Sequence, residues 1–547
     1  MPTSEDRKKV FFALLVGLVT CAPSLVCITM PLRDSSLYAL LTLEFSLGNF
    51  DRAFSADYPP LLTTLGGAIN VLVGEPFLAN KIVSCALFLI GIPGTYQLVK
   101  TLKGAEVAYV ASLLYAVCPY TVELATSGGV DSGKLGLLPW LAWSTLKWCD
   151  NKRVGWGLLV GLIGGVLSYA RGEGIFFALL SLMLFAIYSW QKHFRNGDFS
   201  LSRAVLSLAA AGCLLLVVIS PLLIYQQSQT GFWLTHPSQI RLYTLFVKVR
   251  GTFSLEAKAR PVKPAAGLTE IAPSSQEPTA AAARVTADID WRKNASKTIK
   301  GLYLPFLLLA VLTMAYPSPF RATVSRQDLF PLFYIALNIA MFFPTNVCNA
   351  RYFQTMIPLY LHLAAPGVLV IGILLARFSL TRRQIRVLAG ISLVILALTA
   401  QKECDFLKSR AKIREDKSLA EIGRWIAANR DSLPSYGQLA NSREYHNSRL
   451  PVILCVDHRI AYYALADCVI LPKDRWVTPE KMADFLTQNK VSLVLYDGKM
   501  EEFCPGFGAY WPTNPAFEPI EIPGDFAGHN PQIRLLAFDP AKTQTNP

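Results

Sequence analysis

Long apolar runs recur along most of the chain, and they constrain its fold more than any other feature. About eleven runs have a length that lets a helix cross the hydrocarbon core of a bilayer. Only 16% of the 547 residues are charged and 52% are hydrophobic, unlike a soluble chain of this size. The mean hydropathy is +0.36. We therefore expect an α-helical polytopic membrane protein with about 11 transmembrane helices, or up to about 13. The candidate spans are residues 10–30, 78–99, 105–119, 134–148, 154–170, 174–190, 204–225, 301–317, 329–344, 353–376 and 387–400.

The net charge is +14, and the Lys and Arg residues are concentrated in alternate connections between these runs. Such alternation is typical of the positive-inside rule and not of a nucleic-acid surface, so we expect no nucleic-acid partner. The basic connections are Arg7-Lys8-Lys9; Lys100 and Lys103; Lys147, Lys152 and Arg153; Lys192, Arg195 and Arg203; Arg321 and Arg326; Arg377, Arg382, Arg383 and Arg386. Assigning these basic connections to the cytoplasm predicts a cytoplasmic N-terminus and an extracytoplasmic C-terminus. The membrane is most simply a bacterial inner membrane.

The composition divides the chain into two parts. Residues 1–400 form the predicted membrane body, with an outside interfacial segment at 31–75 and an outside loop at 226–300 rich in Ala, Pro, Ser and Thr. Residues 401–547 change in character: "PVILCVD" and "VSLVLYD" predict strands, while "SLAEIGRWIAANR" and "VTPEKMADFLTQNK" predict helices. We expect this part to be a small extracytoplasmic α/β domain without chemistry of its own.

Ionisable residues in the membrane body gather on the predicted outer side. Asp34 follows the first apolar run in a segment whose Leu37, Leu41 and Leu47 predict a helix lying in the membrane interface. The others are Asp57, Asp131, Lys134, Arg171, Glu173, His236 and Arg351. Charged residues close to membrane spans are costly and tend to be functional. Carboxylates can take a proton from a hydroxyl or bind a divalent cation, and arginines suit a phosphate leaving group.

The order of these motifs resembles that of the GT-C glycosyltransferases. The motifs are "RDSSLY", "ADYPPLL", "NKIVSCALFLIGIPGTYQLVKTLKG", "VCPYTVELATSGGVDSGKLGLLPWLAW" and "ARGEGIFFALL". The resemblance covers roughly residues 10–375. It favours the branch of the protein O-mannosyltransferases, the lipid A aminoarabinose transferase and the Rgt-type bacterial enzymes, a glycosyltransferase family 39-type group. It implies transfer of a sugar from a polyprenyl-phosphate donor to an acceptor hydroxyl, with inversion, on the outer side of the membrane.

The resemblance also implies roles for individual residues. Asp34 and Tyr38 match the family's Asp-Glu-x-x-Tyr, with Ser35 in place of Glu, so Asp34 is the expected base. Asp131 matches an acid of the second outside loop and joins Asp34 in the expected catalytic set. The expected substrate-binding residues are Tyr38, Tyr58, Lys134, Arg171, Glu173, Arg351 and Tyr352. Asp57 and His236 are the candidate ligands for a divalent cation; Asp57 and Asp131 either orient substrates or bind that cation.

Each motif also has a purely structural interpretation. Asp34 could cap a helix, Arg171 and Glu173 could pair to hold a tight reversal, and Arg351 and Tyr352 could anchor a span at the interface. At the level of the whole protein, a polytopic transporter or a non-enzymatic receptor or assembly factor is the alternative. The expected partners of the enzyme are the polyprenyl-phosphate sugar, a lipid, glycan or protein acceptor, and membrane lipids.

Overall fold

Helices dominate the described part of the chain. The computed structural model describes residues 3–27, 31, 33–54, 58–196, 201–236, 239, 291–315, 328–343, 348–376, 419–429, 433, 452–455, 458–464, 466–469, 479–488, 491–496, 500–522, 533–539 and 542. Contacts between Cα atoms divide the chain into two units. The helical unit comprises Met1–Thr29, Ala56–Lys258 and Ala282–Glu403. The sheet unit comprises Met30–Ser55, Ala259–Ala281 and Cys404–Pro547.

Most helices up to residue 376 lie on the apolar runs of the sequence. They are α1 (Ser4–Cys27), α2 (Arg33–Ser46), α3 (Phe50–Ala53), α4 (Pro60–Val73), α5 (Pro76–Lys103), α6 (Ala105–Val117), α7 (Pro119–Thr126), α8 (Asp131–Asn151), α9 (Val154–Ala170), α10 (Gly174–Asn196), α11 (Leu201–Thr230), α12 (Trp291–Gly301), α13 (Leu304–Ala315), α14 (Leu329–Phe342), α15 (Ala350–Gln354) and α16 (Ile357–Ala376). All except α2 and α3 belong to the helical unit.

Local sequence explains where the central helix α5 begins and ends. The Glu75 side chain accepts hydrogen bonds from the backbone N–H groups of Phe77 and Leu78, and Pro76 occupies the first helical position. The helix ends before Gly104, whose φ of 89° is unfavourable for a residue with a side chain.

Close packing fixes α8, the helix on which two of the predicted site residues lie. A methyl group at Gly136 would overlap the Leu87 carbonyl oxygen of α5, so glycine allows the two backbones to approach. Farther along, the Trp148 ring stacks on Phe185 with centroids 3.6 Å apart, and its Nε1 donates to Ser207 Oγ at 2.7 Å. These contacts hold α8 against α5, α10 and α11.

Membrane-spanning capacity is evident in the same helices. Among the described residues, four helices are long and apolar enough to cross a membrane, or up to six if each of two bent pairs forms one span. The predicted span 387–400 lies outside the described residues, and the number of about eleven spans stays a prediction. One bent pair joins α6 to α7 at 55°. Its second helix lies between the predicted spans 105–119 and 134–148, because Pro119 is well suited to start a new helix.

The sheet unit contains a five-stranded mixed sheet with strand order β2-β1-β3-β5-β4. Its elements are β1 (Val452–Leu454), α17 (His458–Ala464), β2 (Asp467–Val469), α18 (Pro479–Gln488), β3 (Leu493–Tyr496), α19 (Met500–Phe503), α20 (Phe507–Tyr510), β4 (Phe517–Ile520) and β5 (Arg534–Phe538). The first three strands of that order are parallel, and β5 is antiparallel to both of its neighbours. Together the helices and this sheet confirm the predicted fold class.

The segment with Asp34 makes contacts that its sequence did not predict, and its place at the membrane interface stays a prediction. It forms the helix α2 as predicted, but it groups with the sheet unit and packs on α17, whereas the sequence suggested a place in the membrane body. Residues 37–42 are all buried, so burial follows no single face of the helix. A helix lying in a membrane interface would bury one face only. The apolar spacing of Leu37 and Leu41 therefore reflects packing within the protein, while Leu47 is exposed beyond the helix end.

Candidate functional site

Five charged side chains from three parts of the helical unit meet in one cluster. Asp131 is the first residue of α8, and Lys134 follows one turn later. Arg171 and Glu173 lie in the tight connection between α9 and α10, where the backbone N–H of Arg171 donates to the Leu167 carbonyl. Arg351 comes from the short helix α15. We call these five residues the charged cluster.

Arg171 lies between the two carboxylates of the charged cluster. Its Nη1 is 3.1 Å from Asp131 Oδ1, and its Nε donates to Glu173 Oε1 at 3.1 Å. On the other side of Asp131, Arg351 Nε is 3.9 Å from Oδ2. The structural interpretation, in which Arg171 and Glu173 hold the reversal between their helices, explains their mutual contact. It does not explain why Asp131 and Arg351 join them.

Lys134 is the most deeply buried cation of the charged cluster, with 1% of its side chain exposed. Its Nζ donates to Glu173 Oε1 at 3.2 Å and to Asn338 Oδ1 of α14 at 2.7 Å. The same nitrogen lies over the rings of Phe177 and Phe342, at 4.8 and 5.7 Å from their centroids. A buried ammonium is tolerated when its hydrogen bonds and ion pairs are satisfied in this way.

Aromatic and amide groups attach α15 to this arrangement. The Tyr352 ring stacks on Phe342 with centroids 4.4 Å apart, and its carbonyl accepts a hydrogen bond from Asn338 Nδ2 at 3.2 Å. The guanidinium groups of Arg171 and Arg351 both lie against the Tyr352 ring, at 5.3 and 5.8 Å from its centroid. One tyrosine therefore contacts both arginines of the charged cluster.

Cations outnumber carboxylates in the charged cluster by three to two, so its formal charge is +1. Burial by itself raises the pKa of Glu173, but the charges of Arg171 and Lys134 outweigh that effect and lower the pKa to about 2. Glu173 therefore stays ionised near neutral pH. Of the five side chains only that of Arg351 is substantially exposed, at 39%. The surplus positive charge is accessible through Arg351.

The segment after α11 supports the connection that carries Arg171 and Glu173. Gln239 Nε2 donates to the Gly172 carbonyl at 2.6 Å, and Thr235 Oγ1 donates to the same oxygen at 3.3 Å. A Cβ at Gly172 would overlap the ring of His236. The glycine thus permits His236 to pack directly on the backbone between the two charged residues, and this histidine contacts the connection as a packing group.

The structure brings together most, but not all, of the predicted site residues. Asp131, Lys134, Arg171, Glu173, Arg351 and Tyr352 meet as described, with His236 beside them. Asp34 is exposed in the first turn of α2, and Tyr38 is buried on the same helix, both in the sheet unit. Tyr58 is half-buried in the bend before Pro59. Asp57 lies outside the described residues. Roles for all of these residues remain predictions.

Asn338 and Phe342 were not among the predicted site residues. A signal for Asn338 was available, because it is the one side chain with an amide in the otherwise apolar "LFPLFYIALNIAMF" of α14. A polar residue inside a membrane-length apolar run deserves a functional interpretation by default. Phe342 gave no such signal, since a phenylalanine in an apolar helix is ordinary.

Replacing Lys134 by methionine is expected to destabilise the protein by about 3 kcal/mol, because it leaves Glu173 and Asn338 buried without their shared donor. Lys147→Met is the matched control, since Lys147 is half-buried on the same helix. We expect the control to change stability by less than about 0.5 kcal/mol. Thermal unfolding of the two purified variants in one detergent measures the difference. Equal melting temperatures would contradict a stabilising role for Lys134.

Part of the helical unit matches the model of a known family. Residues 57–225 match the family model described as dolichyl-phosphate-mannose-protein mannosyltransferase. This range includes Asp131, Lys134, Arg171 and Glu173 of the charged cluster. No curated protein sequence matches the chain.

The fold is similar to those of solved structures of ArnT and of an oligosaccharyltransferase. ArnT from Cupriavidus metallidurans bound to undecaprenyl phosphate is 14% identical with a TM-score of 0.57, over 96% of this chain and 97% of that one. The apo oligosaccharyltransferase of Archaeoglobus fulgidus is 13% identical with a TM-score of 0.51, over 91% and 70% of the two chains. A structure of that oligosaccharyltransferase in complex with Zn and sulfate is 12% identical with a TM-score of 0.50. The match covers 93% of this chain and 71% of that one. The chain therefore shares the fold of these solved proteins, and its residues 57–225 resemble the mannosyltransferase family.

Proposed function

We propose that the protein moves a sugar from a polyprenyl-phosphate donor to an acceptor hydroxyl at the outer side of the membrane, with inversion at the anomeric carbon. The observation that carries this proposal is the charged cluster, in which three cations surround two carboxylates and Arg351 is accessible. Two guanidinium groups beside one tyrosine ring offer hydrogen-bond donors that can bind an anion. The phosphate of a lipid-linked sugar is an anion of this kind.

The donor phosphate is assigned to the arginines of the charged cluster and to Tyr352. A guanidinium presents its N–H groups in a planar fork that matches two phosphate oxygens. Arg171 is held by both carboxylates, so its orientation is fixed before a ligand binds. Support for a polyprenyl phosphate also comes from the ArnT structure, which was solved with undecaprenyl phosphate, and from the dolichyl-phosphate-mannose of the family description.

Asp34 is assigned as the base. Its carboxylate takes the proton of the acceptor hydroxyl as the acceptor oxygen forms a bond to the anomeric carbon. The bond from that carbon to the phosphate oxygen breaks, and the polyprenyl phosphate leaves with the electron pair. The arginines of the charged cluster stabilise the charge that develops on the leaving phosphate. Asp131 acts by holding Arg171 and Arg351 in place, a positioning role.

A divalent cation does not fit the charged cluster. Asp131 and Glu173 are both in contact with cationic side chains, and a metal ion would add charge to a site that is already positive. No group of three or more His, Cys, Asp and Glu side chains suited to a metal ion occurs among the described residues. His236 packs on Gly172, and no step of the proposed reaction is routed through a metal.

Sugar transfer by the purified full-length protein in lipid nanodiscs tests this proposal. Synthetic polyprenyl-phosphate sugars serve as donors, nucleotide sugars as the comparison, and membrane lipid extracts as acceptors. We expect a glycosylated product and free polyprenyl phosphate in equal amounts, with the opposite anomeric configuration in the product. Transfer from nucleotide sugars alone would refute the proposal. Comparing cellular glycolipids and surface glycans with and without the protein then identifies the sugar and the acceptor.

A further inference from the structure

The short helix α12 has three distinct faces along its 11 residues. Asn294, Thr298 and Gly301 form a buried face. Trp291, Ala295 and Ile299 follow at a spacing of four and form an apolar stripe, of which the Trp291 and Ile299 side chains are exposed. The remaining face is basic and includes the exposed Arg292, Lys293 and Lys300. An apolar stripe beside a basic face is typical of helices that lie on membrane surfaces.

The direction of α12 agrees with such a position. It meets α13 at an angle of 78°. The apolar helix α13 exposes Leu304, Leu308 and Val311 along one side, as a helix in contact with lipid tails does. If α13 enters the membrane, α12 runs nearly parallel to the surface. The turn is fixed by Tyr303, which has a φ of 58° and packs its ring against Tyr120 and Phe306.

The buried face of α12 connects it to the segment that carries Arg351. Asn294 Nδ2 donates to the Phe343 carbonyl at 2.9 Å, and Lys297 Nζ donates to the Cys348 carbonyl at 2.7 Å. Gly301 packs against the backbone of Ala350, where a side chain would overlap the carbonyl oxygen. The helix is therefore a fixed part of the helical unit, and its Trp291, Ile299, Arg292 and Lys300 side chains are exposed.

We propose that α12 is a membrane-surface helix that binds the phosphate-bearing headgroups of anionic lipids. Trp291 and Ile299 insert at the level of the headgroups, and Arg292 and Lys300 attract the lipid phosphates. The complementarity of charge selects anionic lipids over zwitterionic ones. This inference goes beyond the proposed function and does not depend on it.

Quenching of Trp291 fluorescence by brominated lipids tests the proposal. The full-length protein and a Trp291→Phe variant are reconstituted in nanodiscs with brominated phosphatidylglycerol or brominated phosphatidylcholine, and the difference between their spectra isolates Trp291. We expect stronger quenching by phosphatidylglycerol at equal mole fraction. Removing both cations in Arg292→Gln/Lys300→Gln should reduce that preference by about tenfold. Lys481→Gln/Arg534→Gln removes the same charge from exposed positions of the sheet unit and should leave the preference unchanged.

Three outcomes would overturn the proposal: no quenching of Trp291 by either lipid, equal quenching by both lipids in the unmodified protein, or an unchanged preference in the Arg292/Lys300 variant. The first would place α12 in water, and the others would show a membrane contact without selection for charge. Since no sugar transfer is measured, the result is independent of the catalytic proposal.

Discussion

Asp34→Asn is expected to lower the rate of sugar transfer by about 10²- to 10⁴-fold, the usual cost of removing a general base. Asparagine keeps the size and much of the hydrogen bonding of aspartate but cannot accept the proton of the acceptor hydroxyl. Folding should change little, because Asp34 is exposed in the first turn of α2 and an amide also serves at a helix start. The rate is measured with purified polyprenyl-phosphate donors, beside thermal stability and abundance in the membrane.

The control for this variant is Asp484→Asn. Asp484 is exposed on α18, in the same unit as Asp34, so the control makes the same chemical change at a comparable position. It should leave both activity and stability unchanged. An Asp34→Asn protein that is stable and nearly fully active would eliminate Asp34 as the base and favour its role as a helix cap. A variant that loses activity only in proportion to its abundance would support the same conclusion.

The residues of the charged cluster could be predicted from the sequence because each lies beside an apolar run. Burial of a charge near a span is costly, so a chain retains such residues for pairing or for function. Asp131 and Lys134 open α8, and Arg171 and Glu173 lie between α9 and α10. Their position on one side of the membrane is a prediction from the alternation of basic connections. The contact partners of these residues could not be predicted, because contacts between helices distant in sequence depend on packing that no local pattern encodes.

The helix α2 shows what the local sequence does not encode. Leucines at Leu37 and Leu41 with polar neighbours indicated a surface helix, yet Ser35, Ser36 and Thr42 are buried as well. Small hydroxyl side chains can be buried at low cost when they find hydrogen-bond partners, so polarity alone does not place them in water. The periodicity of a short helix that packs on more than one side resembles that of an interfacial helix. Its contact with α17, more than 400 positions later in the chain, had no signature in the local sequence.

The same limits apply to the aromatic part of the candidate site. Tyr352 was predicted with Arg351 from the family motif, and the structure adds its stacking on Phe342. The sequence does not distinguish aromatic residues that stack at a site from aromatic residues in ordinary packing. Only the tertiary arrangement shows that the Tyr352 ring also contacts Arg171.

Arg351→Gln is expected to lower kcat/KM for the lipid-linked donor by about 10- to 100-fold, because hydrogen bonds to a charged group contribute about 1.5–3 kcal/mol. Stability should change by less than about 1 kcal/mol, as for an exposed ion pair. Two distances explain why activity should fall more than stability. Arg351 Nε is 3.9 Å from Asp131 Oδ2, whereas Arg171 Nη1 is 3.1 Å from Asp131 Oδ1 and keeps this carboxylate paired in the variant. Arg351→Lys should recover part of the loss, since it restores the charge without the planar fork.

Arg153→Gln is the control, an exposed arginine at the opposite end of α9 from the charged cluster. It removes the same charge and should leave kcat/KM unchanged. Inhibition by the product polyprenyl phosphate shows the cause of the loss. If Arg351 binds the phosphate, free polyprenyl phosphate should inhibit Arg351→Gln more weakly than the unmodified enzyme. Unchanged inhibition together with a lower melting temperature would assign Arg351 to structure alone, as the anchor of α15. Unchanged kcat/KM would show that Arg351 is not needed to bind the phosphate, and its exposed positive charge would then need another ligand.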